Sequence, residues 1–180
     1  DHPEGLPDPI SPWQELNAWG DAEATPGVTY YYRVKKALDD QGTMESGFSA
    51  YDTGWRNMPA PENVEATNGT IVGTTRITWD PVDGAEYYMV VGSESEDGVK
   101  VPLIWWQPDL SYDYTAGNPC EKYYFRVRAA MTAGGYRQGD FSEYDIGYSG
   151  LEIPGNLTAT FNTDTEKITL NWDPIDGADH

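Results

Sequence analysis

The chain repeats itself with a period of 93 residues. The segment from Trp79 to Ala85 reads Trp-Asp-Pro-Val-Asp-Gly-Ala, and the segment from Trp172 to Ala178 reads Trp-Asp-Pro-Ile-Asp-Gly-Ala. Other repeated segments share this offset, beginning at Tyr30 and Tyr123 and at Phe48 and Phe141. When residues 1–87 are laid on residues 94–180 without gaps, 27 of 87 positions are identical. A repeat of this size predicts a series of similar structural units.

The phase of the repeat divides the chain into one complete and two partial units. Proline-containing stretches at residues 57–62 and 150–155 are typical of linkers. We therefore predict that residues 1–58 form the C-terminal part of one unit, 59–150 a complete unit, and 151–180 the N-terminal part of a third. Two periods amount to 186 residues, six more than the 180 of the chain, and those six correspond to residues 88–93 of the complete unit.

Short segments of alternating polar and apolar residues indicate an all-β fold in the complete unit. Seven strands are predicted, at residues 63–67, 74–79, 87–91, 101–106, 111–115, 122–130 and 141–148. The residues from Asp80 to Gly84 form a turn signal, because proline presets φ while aspartate and glycine accommodate a bend. No stretch has the apolar spacing of a helix. Seven strands in about 90 residues predict an immunoglobulin-like sandwich of two sheets.

The complete unit resembles a fibronectin type III domain. The residues that carry the resemblance are Pro61, the strand 63–67, Ile77-Thr-Trp79, Pro81, Gly84-Ala85, the strand 88–90, the strand 123–129 and the segment 141–145. Tyr123 and Tyr30 lie where that family has its tyrosine corner. Segments 26–34 and 47–56 are similar to tandem fibronectin III-like repeats of large bacterial surface and secreted proteins. The resemblance implies a β-sandwich and an extracellular or cell-surface location.

The charge balance excludes two classes of partner. The chain has 11 Lys+Arg against 30 Asp+Glu, a formal net charge of −19. Nucleic acids and anionic membranes both require Lys and Arg at their binding surfaces, so neither is expected as a partner. No apolar run approaches the roughly 20 residues of a spanning helix, and we expect no membrane insertion in this segment. An aromatic content of 13% indicates a folded chain and not a disordered acidic tail.

The residues that most often perform catalysis are scarce and scattered. The two histidines, His2 and His180, stand at opposite ends of the chain, outside the complete unit. The single cysteine, Cys120, lies in a predicted turn, and its equivalent in the first unit is Gly27. A nucleophile paired with a base is therefore not evident. We predict that the chain is not an enzyme and requires no cofactor.

Two features are candidates for ligand binding. Asp80 and Asp83, repeated as Asp173 and Asp176, offer carboxylate oxygens that suit Ca²⁺. The alternative is that these residues shape a solvated turn, since their spacing matches no dedicated calcium loop. Trp105 is the second candidate, because an outward-facing tryptophan stacks on sugar rings or on a neighbouring unit.

The choice of Trp105 rests on its neighbour. Consecutive strand residues point to opposite faces, so one of Trp105 and Trp106 is expected to lie outside the core. Trp106 aligns with Trp13 of the first unit, which favours Trp106 as the inner residue. The loop at residues 132–140 contains Arg-Gln-Gly-Asp and no Arg-Gly-Asp motif, and we predict no adhesive role for it.

The partial units leave apolar strands without partners, because a two-stranded hairpin is marginally stable by itself. They are completed either within one long array or by strand exchange between copies of the chain. Both alternatives predict an acidic stalk or filament whose partners are neighbouring repeats or copies of the same protein. The competing hypothesis is a carbohydrate-binding or adhesive accessory module that contacts polysaccharide through outward tryptophans such as Trp105.

Overall fold

A computed structural model describes residues 9–175 and 177–178. These residues form twelve strands joined by turns and loops. The strands are β1 (Tyr30–Tyr32), β2 (Asp52–Gly54), β3 (Glu65–Ala66), β4 (Asn68–Val72), β5 (Thr75–Thr78), β6 (Tyr87–Ser93), β7 (Val101–Gln107), β8 (Ser111–Tyr114), β9 (Tyr123–Ala130), β10 (Asp145–Gly150), β11 (Thr158–Asn162) and β12 (Lys167–Asn171).

Strands β3–β10 form a sandwich of two sheets. One sheet has the order β3-β5-β8, and the other has the order β4-β10-β9-β6-β7. All strand pairs are antiparallel except β4 with β10, which run parallel. The prediction of an all-β, immunoglobulin-like sandwich is confirmed.

The core lies between the two sheets and follows the alternation of the sequence. Ile77 of β5, Val90 of β6, and Phe125 and Val127 of β9 are completely buried. Trp79, with 4% of its surface exposed, packs at 5.6 Å from the ring of Tyr88. Strand β6 is central because it pairs with both β7 and β9, and six of its seven residues are buried.

Two details of the complete unit differ from the sequence prediction. An eighth strand, β4, follows β3 directly and moves the chain from the first sheet to the edge of the second. The last strand begins at Asp145, whereas residue 141 was predicted, and Phe141 contributes only an isolated bridge to Arg128. Both differences arise from long-range pairing with β10 and β9, which the alternation of a single segment does not reveal.

The partial units have the same strand registers as the complete one. In the first unit, β1 and β2 pair Tyr30 with Gly54, as β9 and β10 pair Tyr123 with Gly147. In the third unit, β11 and β12 pair residues 159 and 170, as β3 and β5 pair residues 66 and 77. Both relations are shifts of 93 residues, so the sequence repeat is also a repeat of backbone pairing.

The apolar faces of the partial units are nevertheless open. Val34 is 70% exposed, whereas its equivalent Val127 is fully buried. Leu170 is 52% exposed, whereas its equivalent Ile77 is fully buried. The described parts of these units therefore present the core face of a sandwich without the strands that cover it. No helix within residues 9–175 or 177–178 is long and apolar enough to cross a membrane.

Candidate functional site at the junction between units

A glycine turn of the complete unit rests directly on the first unit. Gly84 ends the turn between β5 and β6 with a φ of +78°, a conformation that glycine adopts without strain. A Cβ atom at this position would collide with the carbonyl oxygen of Pro26, which is fully buried. The glycine thus permits both the turn and the close approach of the two backbones.

The other side of this junction is apolar. Gly27 has a φ of +76° and lies so close to the Met131 side chain that a Cβ would collide with its sulfur atom. Met58, in the linker between the units, is only 2% exposed and packs against the core of the complete unit. Gly139 approaches the carbonyl oxygen of Met58 in turn, and a Cβ there would also collide. Two loops and the linker therefore enclose the junction.

The same backbone arrangement recurs at the second junction. Gly177 has a φ of +80°, and a Cβ on it would lie 3.3 Å from Pro119, the equivalent of Pro26. The amide of Gly27 donates a hydrogen bond to the carbonyl oxygen of Arg56 at 2.8 Å. The amide of Cys120 donates the equivalent bond to Ser149 at 3.0 Å. The approach of the glycine turn to a proline, and the hydrogen bond beside that proline, are thus reproduced 93 residues later.

The predicted calcium candidates lie in this region. The Asp80 carboxylate accepts a hydrogen bond of 2.6 Å from the side-chain amide of Asn63, and Asp173 accepts the equivalent bond from Asn156. This bond ties the start of each unit to the end of its second strand. Asp83 is exposed, and Asp176 lies outside the described residues.

The aspartates are not brought into a larger acidic cluster. Among the residues that the structure describes, no group of three or more His, Cys, Asp or Glu side chains could hold a metal ion together. Calcium binding by the four aspartates stays a prediction, while their observed contacts are those of a turn.

The loop at residues 132–140, for which the sequence predicted no adhesive role, reaches the first unit. The Arg137 guanidinium donates hydrogen bonds to the carbonyl oxygen of Gly27 and to the Thr29 hydroxyl, the latter at 2.7 Å. It also lies 4.8 Å from the centre of the Trp55 ring. The sequence gives little signal of this contact, because Gly135 alone of residues 132–140 matches its equivalent, Gly42, and Arg137 stands where the first unit has Met44.

Trp105 lies on β7, an edge strand of the larger sheet. It is 67% exposed, while Trp106 is half-buried and packs against Gly135. The pairing of β6 with β7 shifts register between Tyr88 and Val90, so both tryptophans stand opposite one residue of β6. Such a bulge re-aims side chains away from strict alternation. It gives Trp105 its exposure, and the ligand or partner contact proposed for this residue stays a prediction.

Of the residues considered for catalysis, the described part of the chain contains Cys120 alone. Cys120 is exposed and has a φ of +59° at the position of Gly27, and His2 and His180 lie outside the described residues. A tyrosine whose pKa is shifted makes a structural contact. Burial raises the pKa of Tyr123, whose hydroxyl donates a hydrogen bond to Glu121 at 3.0 Å. The tyrosine hydroxyl at its equivalent, Tyr30, accepts a bond from the Thr25 amide at 3.2 Å.

The strand order of the complete unit decides its fold. When β3 and β4 are counted as one strand that crosses between the sheets, the complete unit has seven strands. The first, second and fifth strands then form one sheet, which faces the sheet of the third, fourth, sixth and seventh. The tyrosine at the start of β9 occupies the corner position. The sandwich has the fibronectin type III fold.

Comparison with known proteins gives neighbours among solved structures. No family model and no curated protein matches the chain. An Fn3-like protein from Clostridium thermocellum is similar at 25% identity over 51% of this chain and 93% of its own, with a TM-score of 0.45. The FN5 domain of Drosophila Lar is similar at 23% identity over 52% and 97%, with a TM-score of 0.40. The chicken CNTN1 FN1-FN3 domains are similar at 20% identity over 82% and 53%, with a TM-score of 0.44.

Proposed function

We propose that this chain is a non-catalytic segment of an extracellular or cell-surface stalk or filament, built from fibronectin III-like units joined head to tail. The observation that carries the proposal is the repeated junction. The contact between the glycine turn of one unit and the proline of the unit before it recurs with a shift of 93 residues, at Gly84 with Pro26 and at Gly177 with Pro119. A series of units with one recurring junction extends in one direction and acts as a spacer.

Among the described residues, the first unit has strands equivalent to β9 and β10, and the third has strands equivalent to β3 and β5. Each partial sandwich is completed either by further repeats of one long array or by strands of a neighbouring copy. Both arrangements join units head to tail, so both give the proposed stalk or filament.

The charge suits such an array. A net charge of −19 on 180 residues makes neighbouring stalks repel one another and keeps them dispersed. The extracellular location rests on the resemblance to bacterial surface repeats.

The proposal is tested by electron microscopy of the native polypeptide isolated from its source. We expect a thin, unbranched rod with evenly spaced units. A compact particle without axial periodicity would contradict the proposal.

A second candidate function is carbohydrate binding, favoured by the exposure of Trp105 at the β7 bulge. The indole N–H signal of Trp105 in an NMR spectrum reports binding directly, because a sugar ring stacked on the indole shifts it. Trp19, which is 43% exposed in the first unit, is the matched control. If the chain acts only as a spacer, a panel of soluble polysaccharides shifts neither signal. A saturable shift of Trp105 alone, abolished in Trp105→Ala, would establish the binding function instead.

A further inference from the structure

The loop between β9 and β10 has a defined shape. The Gly135 amide donates to the carbonyl oxygen of Thr132 at 2.9 Å, and the Met131 amide donates to that of Tyr136 at 3.1 Å. Gly135 has a φ of +73° and lies close to the Trp106 ring. A Cβ atom at this position would collide with the ring at 2.7 Å. These contacts, all within the complete unit, fix the loop on its own sandwich.

Arg137 projects from this loop onto the first unit. Its guanidinium contacts a backbone carbonyl and a hydroxyl, at Gly27 and Thr29, and stacks between the rings of Trp55 and Tyr136 at 4.8 and 5.0 Å. The planar fork of arginine suits this combination of two hydrogen bonds and ring stacking, which a lysine would not reproduce. Three of these four contacts cross the junction. A single side chain therefore restrains the first unit in both position and rotation.

The equivalent loop of the first unit has the same backbone but no arginine. Met44 has a φ of +53°, against +52° for Arg137, and Gly42 repeats Gly135 with a φ of +77°. The hydrogen bond from Leu38 to Thr43, at 2.8 Å, repeats the bond from Met131 to Tyr136. The scaffold is thus common to both units, whereas the arginine is particular to one.

We propose that Arg137 is a latch that fixes the angle between the first and second units, and that junction stiffness is set unit by unit through the residue at this loop position. The proposal rests on the spacer function, which it deepens. Domains of one chain move relative to each other by default unless the interface between them is large and hydrophobic. The Arg137 contacts oppose that motion at this junction. A methionine at this position, as in the first unit, can form neither the hydrogen bonds nor the cation–π contacts of the guanidinium.

The test measures the distance between spin labels on the two units by pulsed electron spin resonance. The full chain carries Cys120→Ser, with labels at Asp40→Cys in the first unit and Asp97→Cys in the complete unit, both exposed sites away from the junction. We expect a narrow distance distribution for this parent. Arg137→Met, which copies the residue of the first unit, is expected to broaden it about two-fold, and Arg137→Lys is expected to give an intermediate width.

Arg76→Met is the matched control, because Arg76 is exposed and pairs with Asp113 inside the complete unit. It makes the same change of charge and is expected to leave the distribution narrow. Trp55→Ala removes the stacking partner from the opposite side and carries the same test should Arg137→Met fail to fold.

The outcomes separate the latch from the spacer function. A narrow parent with broad Arg137→Met or Trp55→Ala distributions supports the latch. A narrow parent with equally narrow variants overturns the latch and leaves the spacer function standing. A parent that is already broad overturns both, because the units then have no fixed angle.

Discussion

Val34 and Val127 provide a direct test of which unit has a complete core. They are the same residue at equivalent positions, and each donates its amide to a serine hydroxyl, Val34 to Ser49 at 3.0 Å and Val127 to Ser142 at 2.9 Å. They differ in burial, since Val34 is 70% exposed and Val127 is fully buried. Replacing each with alanine therefore isolates the effect of the surroundings.

The magnitudes follow from the methyl groups that are removed. Valine to alanine deletes two carbons, worth roughly 1.6 kcal/mol of transfer free energy at about 0.8 kcal/mol each. A cavity in the packed core raises the cost of Val127→Ala to about 2–3 kcal/mol. Because most of the Val34 surface already contacts water, Val34→Ala is expected to cost roughly 0.5 kcal/mol.

The assay is urea unfolding followed by near-ultraviolet circular dichroism, which reports the packing of aromatic pairs such as Trp79 and Tyr88. With a denaturant slope of about 1–3 kcal/mol per molar, Val127→Ala should lower the unfolding midpoint by about 1 M or more. Val34→Ala should leave it nearly unchanged. An equal decrease of the unfolding midpoint in the two variants would contradict this prediction, because it would mean that Val34 is as buried as Val127.

Two further predictions concern the junction and the surface of the sandwich. Gly84→Ala places a side chain at a φ of +78° and against the Pro26 carbonyl. It should therefore destabilise the chain by about 1–2 kcal/mol and broaden the distribution of distances between spin labels on the two units. An unchanged melting temperature and an unchanged width of that distribution would contradict the close contact. The hydrogen-bonded Arg76 guanidinium lowers the pKa of Asp113, so this pair stabilises the fold above the ordinary aspartate pKa of about 3.9 and the contribution is lost as the pH falls through the lowered value. An NMR titration should show the Asp113 pKa returning to its ordinary range in Arg76→Met, and an identical pKa in the variant would show that another group lowers it.

Local pattern predicted much of the complete unit. The alternation in residues 122–130 placed Phe125 and Val127 in the core, and both are fully buried. The Asp-Gly turn signal at residues 80–84 was equally informative, because proline and glycine fix backbone angles without help from distant residues. These features depend on neighbours within a few positions.

The features that depend on distant residues could not be predicted in the same way. Strand β4 exists because residues 68–72 pair in parallel with β10, about 80 positions along the chain. The bulge at Trp105 and Trp106 is a property of the β6–β7 register and not of either strand alone. Arg137 bonds to Gly27, 110 positions away. Because Gly135 is the one residue of this loop that matches the first unit, the arginine does not stand out in the sequence, and nothing local indicates its contact.

We expect the β11–β12 hairpin to be the beginning of another sandwich of the same kind. In the repeat, His180 is equivalent to Tyr87, so appending a second copy of residues 88–150 after His180 supplies the equivalents of β6–β10 in register. Amide hydrogen exchange of Lys167–Asn171, measured in the original and the extended chain, tests the claim. We predict that these amides exchange rapidly in the original chain and become as protected as those of Thr75–Thr78 in the extended one. Equally rapid exchange in both chains would contradict the claim.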